Sequence, residues 1–414
     1  MDNIIKQLEK NCNLKIIWVI FPPNKINEVK EKSYEIIDYH NYDNALEILN
    51  ITHPDLIMME GSFGMVGITF SESARFKKIP VATIFPPGIL PLTKSFSEVK
   101  RKINLIFSHN VLGSTDQNSS NHKFGMLRYF LKRYFFLLKT LKCINYDLFD
   151  IFKFILFYPS SHIFLRQVGS VHRICSGDLN FVRNESQKQY LIDMGYTPKT
   201  IVVSGDPTFD QMLLNIQKSQ SLNKIYNEPI KKNSKIKILF CTSPMHEHGA
   251  WTKKQEDTLI SSTINEISKS TNFQISIKIH PTSSKKEEYI DLLNKFMYDI
   301  SLYQKEDLIE LINNHDLMIA YGSSTVVLYG ILLKKPIVML NLDDYPSKYN
   351  YFIDDTVMSI CENISKLIPT LNLSLSQEIS DNVYRKYLQN QLGMPDGKSS
   401  ERIANKILEL FDKT

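Results

Sequence analysis

LNFVRNESQKQYLIDMGYTPKTIVVSGDPTFDQML, residues 179–213, holds two short apolar runs on either side of one polar, helix-forming stretch. LNFV and IVV are strand-length and end at Arg-Asn and at Ser-Gly-Asp-Pro, which are turn signals. Between them, ESQKQYLID has the length and composition of a crossover helix. Strand, helix and strand in that order predict a parallel pair, the repeating unit of a doubly wound α/β sheet.

The same rhythm runs outward in both directions. KIIWVIF (15–21), DLIMME (55–60) and VATIF (81–85) read as buried parallel strands, with NALEILNIT and SESARFKK as crossover helices. Residues 214–234 are polar and rich in Lys, Asn and Ser, as a linker would be. After them come strand IKILFCTS (236–243), a helix over 253–270, strand FQISIKIHP (273–281), a helix over 286–297, DLIELINNHDLMIAYGSS (307–324) and strand KPIVMLN (335–341). SERIANKILELF (400–411) closes the chain as a helix capped by Ser399 or Ser400. The chain is therefore expected to be α/β, with two Rossmann-like doubly wound domains facing a cleft. The first would span 1–232 and the second 233–414. In such sheets ligands bind beyond the carboxyl ends of the strands.

Length and composition agree with two domains. The 414 residues exceed one ordinary core, and 43% hydrophobic with 22% charged residues is a globular balance. Cys12, Cys143, Cys175, Cys241 and Cys361 are scattered without a CxxC pair, which fits a reducing cytoplasm and gives no zinc framework. MDNIIKQLEKNCNLK does not have the charge order of a signal peptide, and no apolar run reaches spanning length. The expected location is cytoplasmic, either free or peripheral on the inner face of the cell membrane.

One stretch breaks the rhythm, a helical insertion placed at 95–172. From Gln117 to Tyr146 there is no acid, while Lys123, Arg128, Lys132, Arg133, Lys139 and Lys142 fall inside. At about 100° per residue, Arg128, Lys132, Lys139 and Lys142 share one narrow sector of a helix, opposite Phe130, Tyr134, Leu137, Leu138 and Leu141. Such a helix can lie in a membrane interface or meet an acceptor there. It can equally pack its apolar face on the domain and leave its charges in water. No nucleic-acid motif accompanies the basic residues.

Candidate site residues follow the strands. His280, in Lys278-Ile279-His280-Pro281, ends a strand and can donate to a phosphate oxygen. Gly322-Ser323-Ser324-Thr325 lies between strand DLMIAY and helix VVLYGILL, where hydroxyls and amides can seat an anion; a doubled helix cap is the plainer alternative. Ser243, His246 and His248, in SPMHEHG, lie in the loop after IKILFCT and suit contact with a nucleotide or sugar; no third ligand makes them a metal site. Glu60, after DLIMM, and His248 are the candidate acid–base groups, and Asp344 is placed to meet a sugar or ribose. No cofactor or metal is expected.

The segment 178–212 resembles non-hydrolysing UDP-N-acetylglucosamine 2-epimerases, and PDLIMMEGSFGMVGITFSESARFKKIPVATIFPPG is similar to the same enzymes' earlier strand, helix and strand. His280-Pro281, Ser323-Ser324, LNLDDYPSKYNYFIDD and DGKSSERIANKIL resemble CDP-glycerol glycerophosphotransferases and bacterial capsule transferases. Both groups share the GT-B architecture. Against the epimerases, His246-Glu247-His248-Gly249 stands where a His-Arg-x-Glu-Asn loop is found, and Glu60-Gly61-Ser62 where an Asp is found. Against the transferases, Ala320-Tyr321-Gly322-Ser323-Ser324 lacks an acidic neighbour. The resemblance implies an enzyme that moves a sugar or polyol-phosphate from a CDP-, CMP- or UDP-linked donor to a cell-surface glycan or lipid-linked acceptor. Its alternatives are a UDP-N-acetylglucosamine 2-epimerase-like enzyme and a non-catalytic nucleotide-binding or membrane-docking subunit.

Overall fold

The computed structural model describes residues 1–20, 34–61, 65–85, 99, 125–152, 155–156, 177–221, 235–246, 251–281, 286–296, 300–322, 324–342 and 352–412. These form two compact units, Met1–Asp210 with Lys398–Thr414, and Gln211–Gly397.

The first unit begins with helix α1 (Asp2–Leu8) and the parallel pair β1 (Ile17–Ile20) and β2 (Glu35–Asp38). Helix α2 (Ala45–Thr52) starts where Asn44 Oδ1 accepts from Glu47 N–H at 3.1 Å, and ends at His53 in the left-handed region. Then come β3 (Ile57–Glu60), α3 (Met65–Lys77), β4 (Val81–Ile84), α4 (Gly125–Cys143), β5 (Leu179–Val182), α5 (Glu185–Asp193) and β6 (Ile201–Val203). Strands β3-β4-β5-β6 form one parallel sheet in that order. The quoted strand–helix–strand segment is thus β5-α5-β6, with Asn184 capping α5 through a 2.9 Å bond from Gln187 N–H.

Leu137 and Leu141 of α4 are fully buried against Met65, Ile68 and Val182. Thr140 ties α4 to α2 by accepting from Ala45 N–H at 3.0 Å. The apolar face of α4 is therefore spent on the first unit's core, while Lys132, Lys139 and Lys142 stay exposed and Lys139 pairs with Asp43. That favours packing over membrane contact for this helix face. The side chain of Arg128 lies outside the described residues.

Helix α6 (Asp210–Ser221) leads into the second unit. There β7 (Ile236–Cys241), α7 (Lys253–Ser268), β8 (Phe273–Lys278), α8 (Lys286–Leu293), β9 (Ser301–Tyr303), α9 (Leu308–Asn313), β10 (Leu317–Tyr321), α10 (Val326–Leu332), β11 (Ile337–Leu340), β12 (Ser359–Cys361), α11 (Leu367–Ser376) and α12 (Asp381–Leu392) follow. The six strands are all parallel, in the order β12-β11-β10-β7-β8-β9. β7, β10 and β11 are mostly Ile, Leu, Val, Met or Phe, and β10 and β11 are buried along their whole length, as a sheet covered on both faces requires. The two Rossmann-like domains predicted from the sequence are present.

Two expectations change. The unit boundary falls at 210/211 rather than 232/233, because α6 occupies the front of the expected linker; residues 222–234 lie outside the described residues. The closing helix α13 (Ser399–Phe411) belongs to the first unit, where Ile403, Ala404 and Ile407 pack against Ile4, Leu8 and Phe181. Neither serine side chain caps α13. The Asp210 carboxylate does so, accepting from Ser399 N–H at 3.0 Å and Ser400 N–H at 2.6 Å.

Candidate functional site

The second sheet runs outward from β7 in both directions, first to β8 and β9, then back across to β10, β11 and β12. The switch point lies between β7 and β10, where loops leaving adjacent strands part to opposite faces and open a ligand crevice. The three motifs singled out from the second half of the sequence end β7, β8 and β10, three neighbours in this sheet.

Their loops are stitched together. Thr242 N–H donates to the Lys278 carbonyl at 2.9 Å, and Thr242 Oγ1 accepts from His280 N–H at 3.1 Å. This fixes the backbone of His280, whose ring is half-buried, beside the start of the Ser243 loop. On the other side, Tyr321 Oη donates to the Ser243 carbonyl at 3.2 Å and lies 3.4 Å from Glu256 Oε1. Trp251 stacks on the Tyr321 ring with centroids 5.3 Å apart and planes 12° from parallel. Burial, followed by the Glu256 charge, pushes the Tyr321 hydroxyl well above its ordinary value, so it remains a donor.

Gly322 follows with φ +68°, and a Cβ there would stand 2.9 Å from Met245 Sδ and 3.4 Å from Ser243 Oγ. The loops after β7 and β10 therefore touch at a glycine that has no room for a side chain. Ser324 Oγ accepts from Val326 N–H at 3.4 Å, while Thr325 makes no side-chain cap bond and is exposed. His246 Nδ1 lies 3.4 Å from the Trp251 carbonyl. A proton on Nδ1 makes that a hydrogen bond and leaves Nε2 as an acceptor.

Beneath the loops, Lys278 is buried and donates to the carbonyls of Ile279 and Gln304. Burial pushes its ammonium below the ordinary lysine value. Its register partner Cys241 is buried as well, its thiol pushed up to about 12 by burial against the opposing pull of Lys278. Both are structural groups under the site rather than ligands in it.

Of the sequence candidates, the structure brings together Ser243, His246, His280, Gly322, Ser324 and Thr325. Glu60 is exposed at the end of β3 in the first unit. His248, Ser323 and Asp344 lie outside the described residues. Among the described residues no group of three His, Cys, Asp or Glu is placed to hold a metal ion. Sequence reasoning missed Thr242, Met245, Trp251, Glu256 and Tyr321. A doubly wound strand order, which places the first strand between the second and the fourth, was the signal that would have paired 242 with 280 and 243 with 321.

Residues 172–408 match the family described as UDP-N-acetylglucosamine 2-epimerase. A comparison with curated proteins found no match. Among solved structures, the UDP-GlcNAc 2-epimerase from Neisseria meningitidis bound to UDP-GlcNAc is 15% identical, with a TM-score of 0.53 over 98% of this chain and 95% of that one. The UDP-GlcNAc 2-epimerase from Methanocaldococcus jannaschii is 17% identical, with a TM-score of 0.51 over 99% and 95%. The wall teichoic acid polymerase TagF is 11% identical over 100% of this chain and 85% of that one, with a TM-score of 0.48. At these identities the structures speak for the fold alone, two Rossmann-like domains of the GT-B kind. The family match is longer than half the chain and runs through all three loops gathered at the switch point, and on that ground the chain belongs to the UDP-N-acetylglucosamine 2-epimerase family.

Proposed function

We propose that the chain is a nucleotide-sugar enzyme that binds a UDP-linked N-acetylhexosamine at the carboxyl end of the second sheet and inverts the sugar at C2. The observation that carries this reading is the convergence of the β7, β8 and β10 loops at the switch point, all inside the family match. Donors that suit the diphosphate there are the His280 ring, the hydroxyls of Ser324 and Thr325, and the backbone around Gly322, with the Ser323 hydroxyl added on the sequence alone. His246, with Nε2 left as an acceptor, suits a ribose or base donor. Inversion at C2 needs one group to take a proton and another to return it, and Glu60 and His248 are the candidates.

A second reading is kept because of the residues that stand in the β7 loop. His246-Glu247-His248-Gly249 replaces the His-Arg-x-Glu-Asn of the epimerases, and the described residues around the switch point offer imidazoles and hydroxyls, with the Glu256 carboxylate fully buried. Transfer of the sugar, or of a polyol-phosphate from a CDP-linked donor, to a glycan or lipid-linked acceptor would use the same phosphate seat without a C2 base.

Incubation with UDP-N-acetylglucosamine in heavy water, followed by proton NMR, separates the two. Epimerisation is expected to produce the C2 epimer with deuterium at C2 in both sugars. A substrate that keeps its C2 proton, with UDP appearing only when an acceptor is added, would replace epimerisation by transfer.

A further inference from the structure

Packing α4 against the first unit leaves a different apolar surface uncovered. After the turn at 144–146 the chain is helical again at 148–152 and 155–156. Leu148, Phe149, Phe152 and Leu156 recur at the spacing of one helix face. Leu148 is 79%, Phe149 63% and Phe152 55% exposed, and Leu156 is exposed too. Single exposed apolar side chains are ordinary, but several on one helix face mark an interaction surface.

This face is tied to α4. Tyr134 Oη donates to the Ile155 carbonyl at 3.3 Å. On α4 itself, Leu131 and Phe135 are exposed in the same third of the circumference, at about 100° per residue, as Lys132, Lys139 and Lys142. No acid falls between Gln117 and Tyr146. The first acids after it are Asp147 and Asp150. Asp147 caps its own helix start by accepting from Phe149 N–H at 3.2 Å, and Asp150 has a partner within the fold. Asp43 pairs with Lys139.

We propose that this surface seats on an anionic lipid membrane, with Leu148, Phe149, Phe152 and Leu156 entering the interface and Lys132 and Lys142 meeting the headgroups. Aromatic and aliphatic side chains beside uncompensated lysines are the combination an interfacial helix uses, with apolar burial and headgroup attraction adding. Among the described residues no helix is long and apolar enough to cross a membrane. A second copy of the chain is the competing occupant. A two-fold contact through this face would set the lysines of both copies against each other, whereas anionic headgroups neutralise them.

The test is co-sedimentation of the full chain with phosphatidylcholine vesicles, with and without about a third phosphatidylglycerol. Wild type is expected to pellet with the anionic vesicles at least about tenfold more strongly than with the neutral ones, and to be released by high salt. Phe149→Ser/Phe152→Ser and, separately, Lys132→Glu/Lys142→Glu should each abolish that binding with unchanged circular dichroism and melting. Failure of wild type to pellet with anionic vesicles overturns the proposal, as does pelleting of both variants like wild type. Light scattering that shows a wild-type dimer split by Phe149→Ser/Phe152→Ser, without vesicle binding, gives the surface to a second copy instead. The two variants alter exposed side chains in different ways, so a folding defect in one leaves the other to decide.

Discussion

Gly322 is the residue on which the candidate site turns. Its φ of +68° lies where an L side chain costs about 1–2 kcal/mol, and a Cβ would press on Met245. Gly322→Ala is expected to lower stability by about that amount in urea denaturation and to weaken UDP binding in calorimetry, because the Met245 and Ser243 side chains of the β7 loop must shift to admit the Cβ. A variant that binds UDP like wild type would remove this glycine from the seat. Cys241 gives a residue-scale dependence on pH. Its thiol ionises near 9 in the unfolded chain and near 12 in the fold, so between those values the folded state holds a proton that the unfolded state has lost. Stability from this group is full below about pH 9 and falls as pH rises towards 12. In chemical denaturation across that range, Cys241→Ala should flatten the alkaline fall relative to wild type, whatever its offset at neutral pH. At this scale the sequence was partly legible. A hydroxyl or imidazole after a strand announces itself, whereas Tyr321 and Glu256 look like ordinary core and helix residues until strand order brings them to Ser243.

Elements were read better than their ends. Apolar runs such as ILFC and IVML announce β7 and β11, because a parallel strand covered on both faces has no alternation to blur. The three-residue strands β9 and β12, SLY and SIC, carry too little pattern to stand out, and β2 was passed over for the same reason. Caps divided in the same way. Asn184 and Thr252 cap their own helices and are legible, since the signal is local. The cap of α13 is not, because Asp210 comes from 189 residues away. That carboxylate accepts from two buried amides, while Arg402 Nε donates to the Ser204 carbonyl at 2.8 Å and Gly205 makes room for Ser399. Asp210→Ala leaves both amides without an acceptor and is expected to cost about 2–4 kcal/mol. Asp210→Asn keeps one acceptor oxygen and should lose roughly half as much. Equilibrium urea unfolding measures both. Equal losses for Ala and Asn would mean that the charge, rather than the acceptor count, holds the helix start.

At the scale of the whole chain, two doubly wound units were legible because their rhythm restarts after the polar stretch at 214–234. The return of the chain was not. The apolar stripe of α13 shows that one face is buried, but periodicity does not say against which core, and contact with α1 is a choice made at the opposite end of the sequence. Each unit has its own core, so differential scanning calorimetry of the full chain is expected to resolve two transitions. With the proposed phosphate seat in the second unit, saturating UDP should raise only one of them, by an amount set by mass action, about 2.7 kcal/mol at a hundredfold excess over the dissociation constant. Ending the chain at Gly397 removes Ile403, Ala404 and Ile407 from the first core, at about 1.5–3 kcal/mol for each buried isoleucine, and leaves Asp210 without its amides. That truncation should lower or abolish the transition indifferent to UDP and keep the responsive one. If the UDP-responsive transition were lost instead, the nucleotide would depend on the first unit, and the loops after β7, β8 and β10 would not be its seat.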